Sequence, residues 1–182
     1  MKVHKPETAK LHEEIAEAYK KRLGEIEDFE GDEEEKNTSF ERSYLHNAIY
    51  LHNLWFEQIE GERKETNSPF LEEILERRES DLNTFIKWMN VFAYDAKPNG
   101  WAVWCWSYTA RTFVGLPIKS HDECIPLGVT PLLVIDCWEH SYLGDYGLDF
   151  QSYLDVFWRE LNWDKIEQRH KELAKLFGFH LK

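Results

Sequence analysis

The spacing of apolar residues changes once along this chain, and that change limits the fold more than any other feature. From Glu7 to Leu23 the residues Leu11, Ile15, Ala18 and Leu23 recur at helical spacing, and Gly24 supplies a stop. The same spacing returns from Ser39 to Ile59 through Tyr44, Ala48, Leu51, Trp55 and Ile59. Two further helices fit Phe70–Arg78, entered by Ser68-Pro69, and Asp81–Ala96. Pro98-Asn99-Gly100 then turns the chain into Trp101–Tyr108, an aromatic-rich run that favours a strand. Thr112–Leu116 and Leu132–Asp136 are the other strand candidates, and helices over Phe150–Glu160 and Asp164–Phe177 follow. Three strands between helices predict an α+β fold with a small antiparallel sheet.

The first two helices make an αα-hairpin. Its tip, Glu25–Thr38, carries the like-charge block Glu30-Gly31-Asp32-Glu33-Glu34-Glu35, which reads as a solvated loop and not as a ligand cluster. Gly61–Pro69 is polar and breaks the periodicity, so a boundary falls there. The predicted organisation is an N-terminal helical hairpin domain over residues 1–62 and a C-terminal α+β domain over residues 68–182, with a three-stranded antiparallel sheet flanked by helices.

Composition narrows the function. A formal charge of −12 with scattered Lys and Arg argues against a nucleic-acid binder, because phosphate neutralisation needs a clustered basic face. Cys105, Cys124 and Cys137 are an odd number without close pairing, which fits buried thiols in a reducing, cytoplasmic setting better than a disulfide framework. No apolar leader follows Met1, and no run has the length to span a bilayer, so no membrane partner is expected. Eight Trp, eight Tyr and eleven Phe can wall a dry site or simply fill a core.

Chemistry gathers at Thr130–His140, where an apolar strand ends in Asp136 and His140 follows four residues later. A carboxylate and an imidazole placed by a stiff strand suit an iron, manganese or zinc ion. A buried Asp capping a turn beside a surface His would show the same spacing.

The surrounding residues resemble a known family. Asp136, Trp138, Glu139 and His140, followed by Tyr142 and Tyr146, resemble the signature of iron/manganese superoxide dismutases. The resemblance extends to Tyr153, Phe157-Trp158 and Leu161-Asn162-Trp163-Asp164, and back to Asn99-Gly100-Trp101-Ala102. It implies a mononuclear site holding one iron or manganese ion per subunit, with disproportionation of superoxide to oxygen and hydrogen peroxide as the activity. Glu7-Thr8 with Leu11-His12 resembles the family's first-ligand segment, and His52-Asn53-Leu54-Trp55-Phe56 its second. The implied ligands are therefore His12, His52, Asp136 and His140.

Ser120-His121-Asp122 resembles the branch of the family in which a His contacts the solvent on the metal, and the small Ala48, four residues before His52, leaves room for it. Trp101 and Trp138 would wall the pocket. Glu139 matches the residue that reaches the partner's ligand His, which implies a homodimer. Departures from the family pattern lie along the substrate channel. Where a His and a Tyr usually stand four and eight residues after the first ligand, this chain has Ala16 and Lys20, and Leu143 replaces an aromatic. Tyr19 lies one residue, about 100° of helix rotation, from the usual phenol and is expected to replace it only if the helix is locally distorted, and Lys20 is a candidate for attracting superoxide. His121, Tyr19 and Lys20 are thus the candidates for a role in turnover. The alternatives are a dismutase-like metal-binding protein with little activity and a structural or binding role, and a mononuclear iron oxidase using the same ligands.

Overall fold

The computed structural model describes residues 3–28, 35–60, 71–72, 75–76, 80–123 and 125–177, with no side-chain account of 35–39 or of 177. Among the described residues the elements are α1 (Pro6–Glu27), α2 (Glu35–Ile59), α3 (Leu82–Ala96), β1 (Trp101–Ser107), β2 (Thr112–Ile118), β3 (Val129–Asp136), α4 (Glu139–Tyr146), α5 (Phe150–Glu160) and α6 (Trp163–Phe177). The acidic tip at 29–34, most of the proposed helix Phe70–Arg78, and Cys124 lie outside the described residues. The three strands form one antiparallel sheet in the order β2-β1-β3, so the architecture is α+β as the sequence predicts.

Helix α1 passes through Gly24 instead of stopping there. Nothing lies within 4 Å of a Cβ built on Gly24, so the glycine caps no contact. What continues the helix is Ile26, 3% exposed, together with Arg22, whose guanidinium grips both oxygens of Glu41 at 2.7 and 3.0 Å. Burial of one isoleucine, worth about 1.5–3 kcal/mol, outweighs the roughly 1 kcal/mol cost of an interior glycine.

The sheet is longer than the sequence suggested because both outer strands accept a proline. β2 runs on through Pro117 and β3 begins before Pro131. Each is an edge strand with one neighbour, where a missing N–H is tolerated, and Pro131 pairs with Cys105 next to the register shift at Trp104/Cys105. All seven residues of β1 are buried. Helix α3 packs on β1 and β2, α2 and α6 pack on β3, and α1 lies on α2 and α4.

Two contacts fix the helical hairpin to the sheet. Gln58 of α2 is fully buried and exchanges hydrogen bonds with the Val134 backbone, accepting its N–H at 3.2 Å and donating to its carbonyl. Arg169 of α6 donates to the carbonyls of Leu54 and Leu132 and to Glu57 at 2.9 Å, tying α2, β3 and α6 together. Among the described residues no helix is long and apolar enough to cross a membrane.

Candidate metal centre

The centre forms where the end of β3 meets the start of β1, because the register pairs Trp101 with Asp136. Gly100 makes that corner. A Cβ there would stand 2.1 Å from the Ile118 carbonyl oxygen and 2.6 Å from that of Ala96, and its own carbonyl accepts the Cys137 N–H at 2.9 Å. Asp136 is rigidly held. Its Oδ1 accepts the Trp138 N–H at 2.9 Å, and its carbonyl accepts the hydroxyls of Ser141 at 3.0 Å and Tyr153 at 2.7 Å. The second carboxylate oxygen is left to face inward.

Three imidazoles converge on that oxygen. Nε2 of His12 lies 3.0 Å from Asp136 Oδ2, Nε2 of His140 3.3 Å and Nε2 of His52 3.8 Å. One ligand atom from each of the four residues falls within 4.8 Å of all the others. His12 sits on the buried row Thr8, His12, Ala16 of α1, and His140 is in the first turn of α4. His52 on α2 donates from Nδ1 to the Ala48 carbonyl at 2.7 Å, which leaves its Nε2 as a lone pair. The structure thus brings together the four residues that the sequence resemblance implies as ligands.

The donor set fits a cation. Asp136 Oδ2 and His12 Nε2 are buried without a hydrogen-bond partner, and a carboxylate oxygen facing imidazole nitrogens needs positive charge between them. Bonds of about 2.1 Å meeting at roughly 90–130° put ligand atoms about 3.0–3.8 Å apart, the range of the three distances to Asp136 Oδ2. Burial opposes a charge on Asp136, but His140 and then His12 outweigh it and hold the carboxyl well below the usual range. Burial lowers His52 to about 3, so its ring is neutral, as a ligand must be.

His121 lies against this cluster. Its ring stacks on Trp138 with centroids 4.8 Å apart, and its Nε2 accepts the Trp101 indole N–H at 2.9 Å. Asn47 of α2 donates to the His121 carbonyl at 2.8 Å and pins the loop. Burial lowers His121 to about 4. The neutral ring therefore carries its proton on Nδ1, a buried atom with no hydrogen-bond partner among the described residues.

Tyr19 reaches the same place without a break in α1. Its ring is 5.5 Å from His52 and 5.7 Å from His121. Tyr44 completes the group, 4.8 Å from His121 and 6.1 Å from Tyr19. Burial, then the hydrogen bond with Tyr44, raises the Tyr19 phenol above its ordinary value. Lys20, by contrast, is engaged with Glu17 at 2.7 Å. Ala16 is buried, and Leu143 is 45% exposed.

Sequence reasoning missed His4 and Tyr44. His4, lowered to about 4 by burial and then by His12, stacks on Trp55 with centroids 5.0 Å apart, and its Nε2 is 3.1 Å from His12 Nδ1. It precedes the helix, where no periodicity marks it. Tyr44 does fall on the periodic row of α2, so its spacing signalled burial without signalling the site.

Helices surround a three-stranded antiparallel sheet, and three histidines and one aspartate converge from α1, α2, β3 and α4 into a cluster able to hold a metal ion. The model of the family "Iron/manganese superoxide dismutases, C-terminal domain" matches residues 67–169, and the chain belongs to that family. It is 30% identical over 132 residues to a superoxide dismutase [Mn] of Haloarcula marismortui, covering 70% of this chain and 62% of the relative. It is 33% identical over 94 residues to a superoxide dismutase [Mn/Fe] of Aeropyrum pernix, covering 50% and 44%. With a superoxide dismutase [Fe] of Methanothermobacter thermautotrophicus the identity is 27% over 175 residues, covering 94% and 84%. The chain spans only 62% and 63% of the length of two haloarchaeal relatives that it matches.

Proposed function

We propose that this protein disproportionates superoxide to oxygen and hydrogen peroxide at one iron or manganese ion held by His12, His52, Asp136 and His140. The observation that carries the reading is the convergence of three Nε2 atoms, at 3.0, 3.3 and 3.8 Å, on the single free oxygen of Asp136. When bound, the ion supplies the one-electron couple that the reaction needs. The chain supplies the rest. His121, with its proton on Nδ1, is a donor for solvent at the centre. Tyr19 and Tyr44 place two more hydroxyls beside it, and the raised Tyr19 phenol stays protonated at neutral pH. Trp101, Trp138, Trp55 and Phe56 keep bulk water from the ligands.

Family membership and the relatives' names support the reading, and the tyrosine pair stands where Ala16 and Lys20 leave the usual channel groups missing. A homodimer belongs to the same proposal. His140 is the one ligand with exposure, 14% at its side chain, and the exposed Glu139 beside it is available to a second subunit. The cytoplasm is the proposed location, from the free thiols of Cys105 and Cys137 among the described residues. The test is superoxide consumption by protein loaded separately with iron and manganese, with His52→Ala as control. Turnover in at least one form that His52→Ala abolishes supports the proposal. Metal bound at all four ligands without turnover in either form supports a structural metal-binding role, and oxygen uptake with an organic substrate supports an oxidase.

A further inference from the structure

His4 is outside the four-residue set yet touches it, and its far side faces a buried acid without hydrogen-bonding to it. Its Nε2 lies 3.1 Å from His12 Nδ1, and its Nδ1 lies 3.8 Å from Asp145 Oδ2. Asp145, with a side chain 4% exposed, accepts the Thr8 hydroxyl at 2.7 Å and the Lys5 N–H at 2.8 Å. The His4 ring is sandwiched beside Trp55 and runs nearly parallel to Tyr153, at 9°. Tyr146 donates to the Val3 carbonyl, so two neighbouring residues of α4 anchor the segment ahead of α1.

The proton positions follow from the ligand role of His12. To offer a lone pair at Nε2, His12 must carry its proton on Nδ1, and that N–H then donates to Nε2 of His4. His4 in turn carries its own proton on Nδ1, on the side of the Asp145 carboxylate. The reverse direction would put the His12 proton on Nε2, against Asp136, and would remove a ligand. A ligating histidine normally donates its second N–H to an acceptor that fixes ring orientation and raises basicity. In His52 that acceptor is a backbone carbonyl. In His12 it is another imidazole backed by a carboxylate.

We propose that His4 and Asp145 are positioning residues that act through His12, locking its tautomer and strengthening its donation to the ion. The proposal rests on the metal-centre reading given above. Its test uses Mn2+ as the probe on the full chain, with variants Asp145→Asn, His4→Leu, the double variant and Tyr146→Phe. Two quantities are read: the rate of Mn2+ release to a chelator, and the Mn2+ electron paramagnetic resonance spectrum, which reports the ligand field at the ion.

Release is expected to accelerate about 10–100-fold in Asp145→Asn and in His4→Leu, with an altered spectrum in both. The double variant is expected to behave like His4→Leu alone, because the two residues act in series. Tyr146→Phe loosens the same segment without touching the line, and leaves both readouts unchanged. If His4→Leu does not fold, the near-isosteric Asp145→Asn still decides the matter. Unchanged release and spectrum in Asp145→Asn, or the same changes in Tyr146→Phe, would overturn the proposal while leaving the metal centre standing. A wild-type chain that takes up neither Mn2+ nor Fe2+ would remove both.

Discussion

Asp136→Asn separates metal binding from folding at this centre. The amide keeps the carboxylate's shape: Oδ1 can still accept the Trp138 N–H, and the Ser141 and Tyr153 hydroxyls bond the untouched backbone carbonyl. What changes is the inward atom. It becomes an NH2 group that points donors at His12 Nε2 and His140 Nε2, now at 3.0 and 3.3 Å. The metal-free variant trades the carboxylate's attraction to His140 and His12 for these hydrogen bonds, and should stay within about 1–2 kcal/mol of the parent. The metal-bound state loses more. At free Mn2+ of about 1,000 times its dissociation constant, the parent gains about 4.1 kcal/mol. At roughly 2–4 °C per kcal/mol for a chain of this size, that is a rise in Tm of about 8–16 °C. A loss of affinity of about 1,000-fold, the effect expected from removing the one anionic ligand, leaves a gain of about 0.4 kcal/mol at the same Mn2+ and about 1 °C. Thermal unfolding with and without Mn2+, paired with metal analysis of the dialysed protein, reads both effects. An Asp136→Asn chain whose Tm still climbs by several degrees on adding Mn2+ would refute the reasoning.

Other outcomes follow from the same coordinates. Tyr19→Phe with Tyr44→Phe should lower superoxide turnover about tenfold or more while metal content stays at the parent level; loss of metal in that pair would move the tyrosines from proton supply to ligand support. In the metal-free chain His4, His52 and His121 are lowered to about 4, 3 and 4 from an ordinary 6.5, so between those values the unfolded state binds more protons. Stability should then be fully present above pH 6.5 and fall as pH drops, by up to about 1.4 kcal/mol per unit for each ring, and a flat urea midpoint from pH 7 to 5 would contradict that. Arg169→Met leaves the Leu54 and Leu132 carbonyls without their donor and should cost about 2–4 kcal/mol in urea unfolding. Gly100→Ala drives a methyl into two backbone oxygens and should cost more than about 3 kcal/mol, so an unchanged melting curve would show the corner to be looser than described.

The sequence made the four clustered residues legible because each sits at a place that pattern reasoning can reach. His12 and His52 lie on periodic helices, and Asp136 ends an apolar strand with His140 one helical turn further on. Family resemblance then joined four weak signals from distant segments. Less was legible where tertiary contacts overrule local chemistry. Gly24 looked like a stop, yet Ile26 found a buried seat beyond it. Pro117 and Pro131 looked like strand limits, and the sequence does not say which strands lie at an edge. Helix α4 spans eight residues, too few to show a period, and its ends are set by Trp138 and Gly147. Tyr19 was placed about 100° away from the centre by helix geometry, but a side chain that long bridges the difference, and Tyr44 from α2 meets it there.

The prolines in the two outer strands bear on what the flanks of the sheet can accept. A strand with one neighbour presents a row of donors and acceptors to solvent, an invitation to any extended segment that passes. Pro117 on one flank and Pro131 on the other each remove one N–H from the strand, which disfavours lengthening of the sheet at both sides. A strand arriving at either flank would meet a position with no N–H to offer, so growth of the sheet into a fibre is disfavoured there.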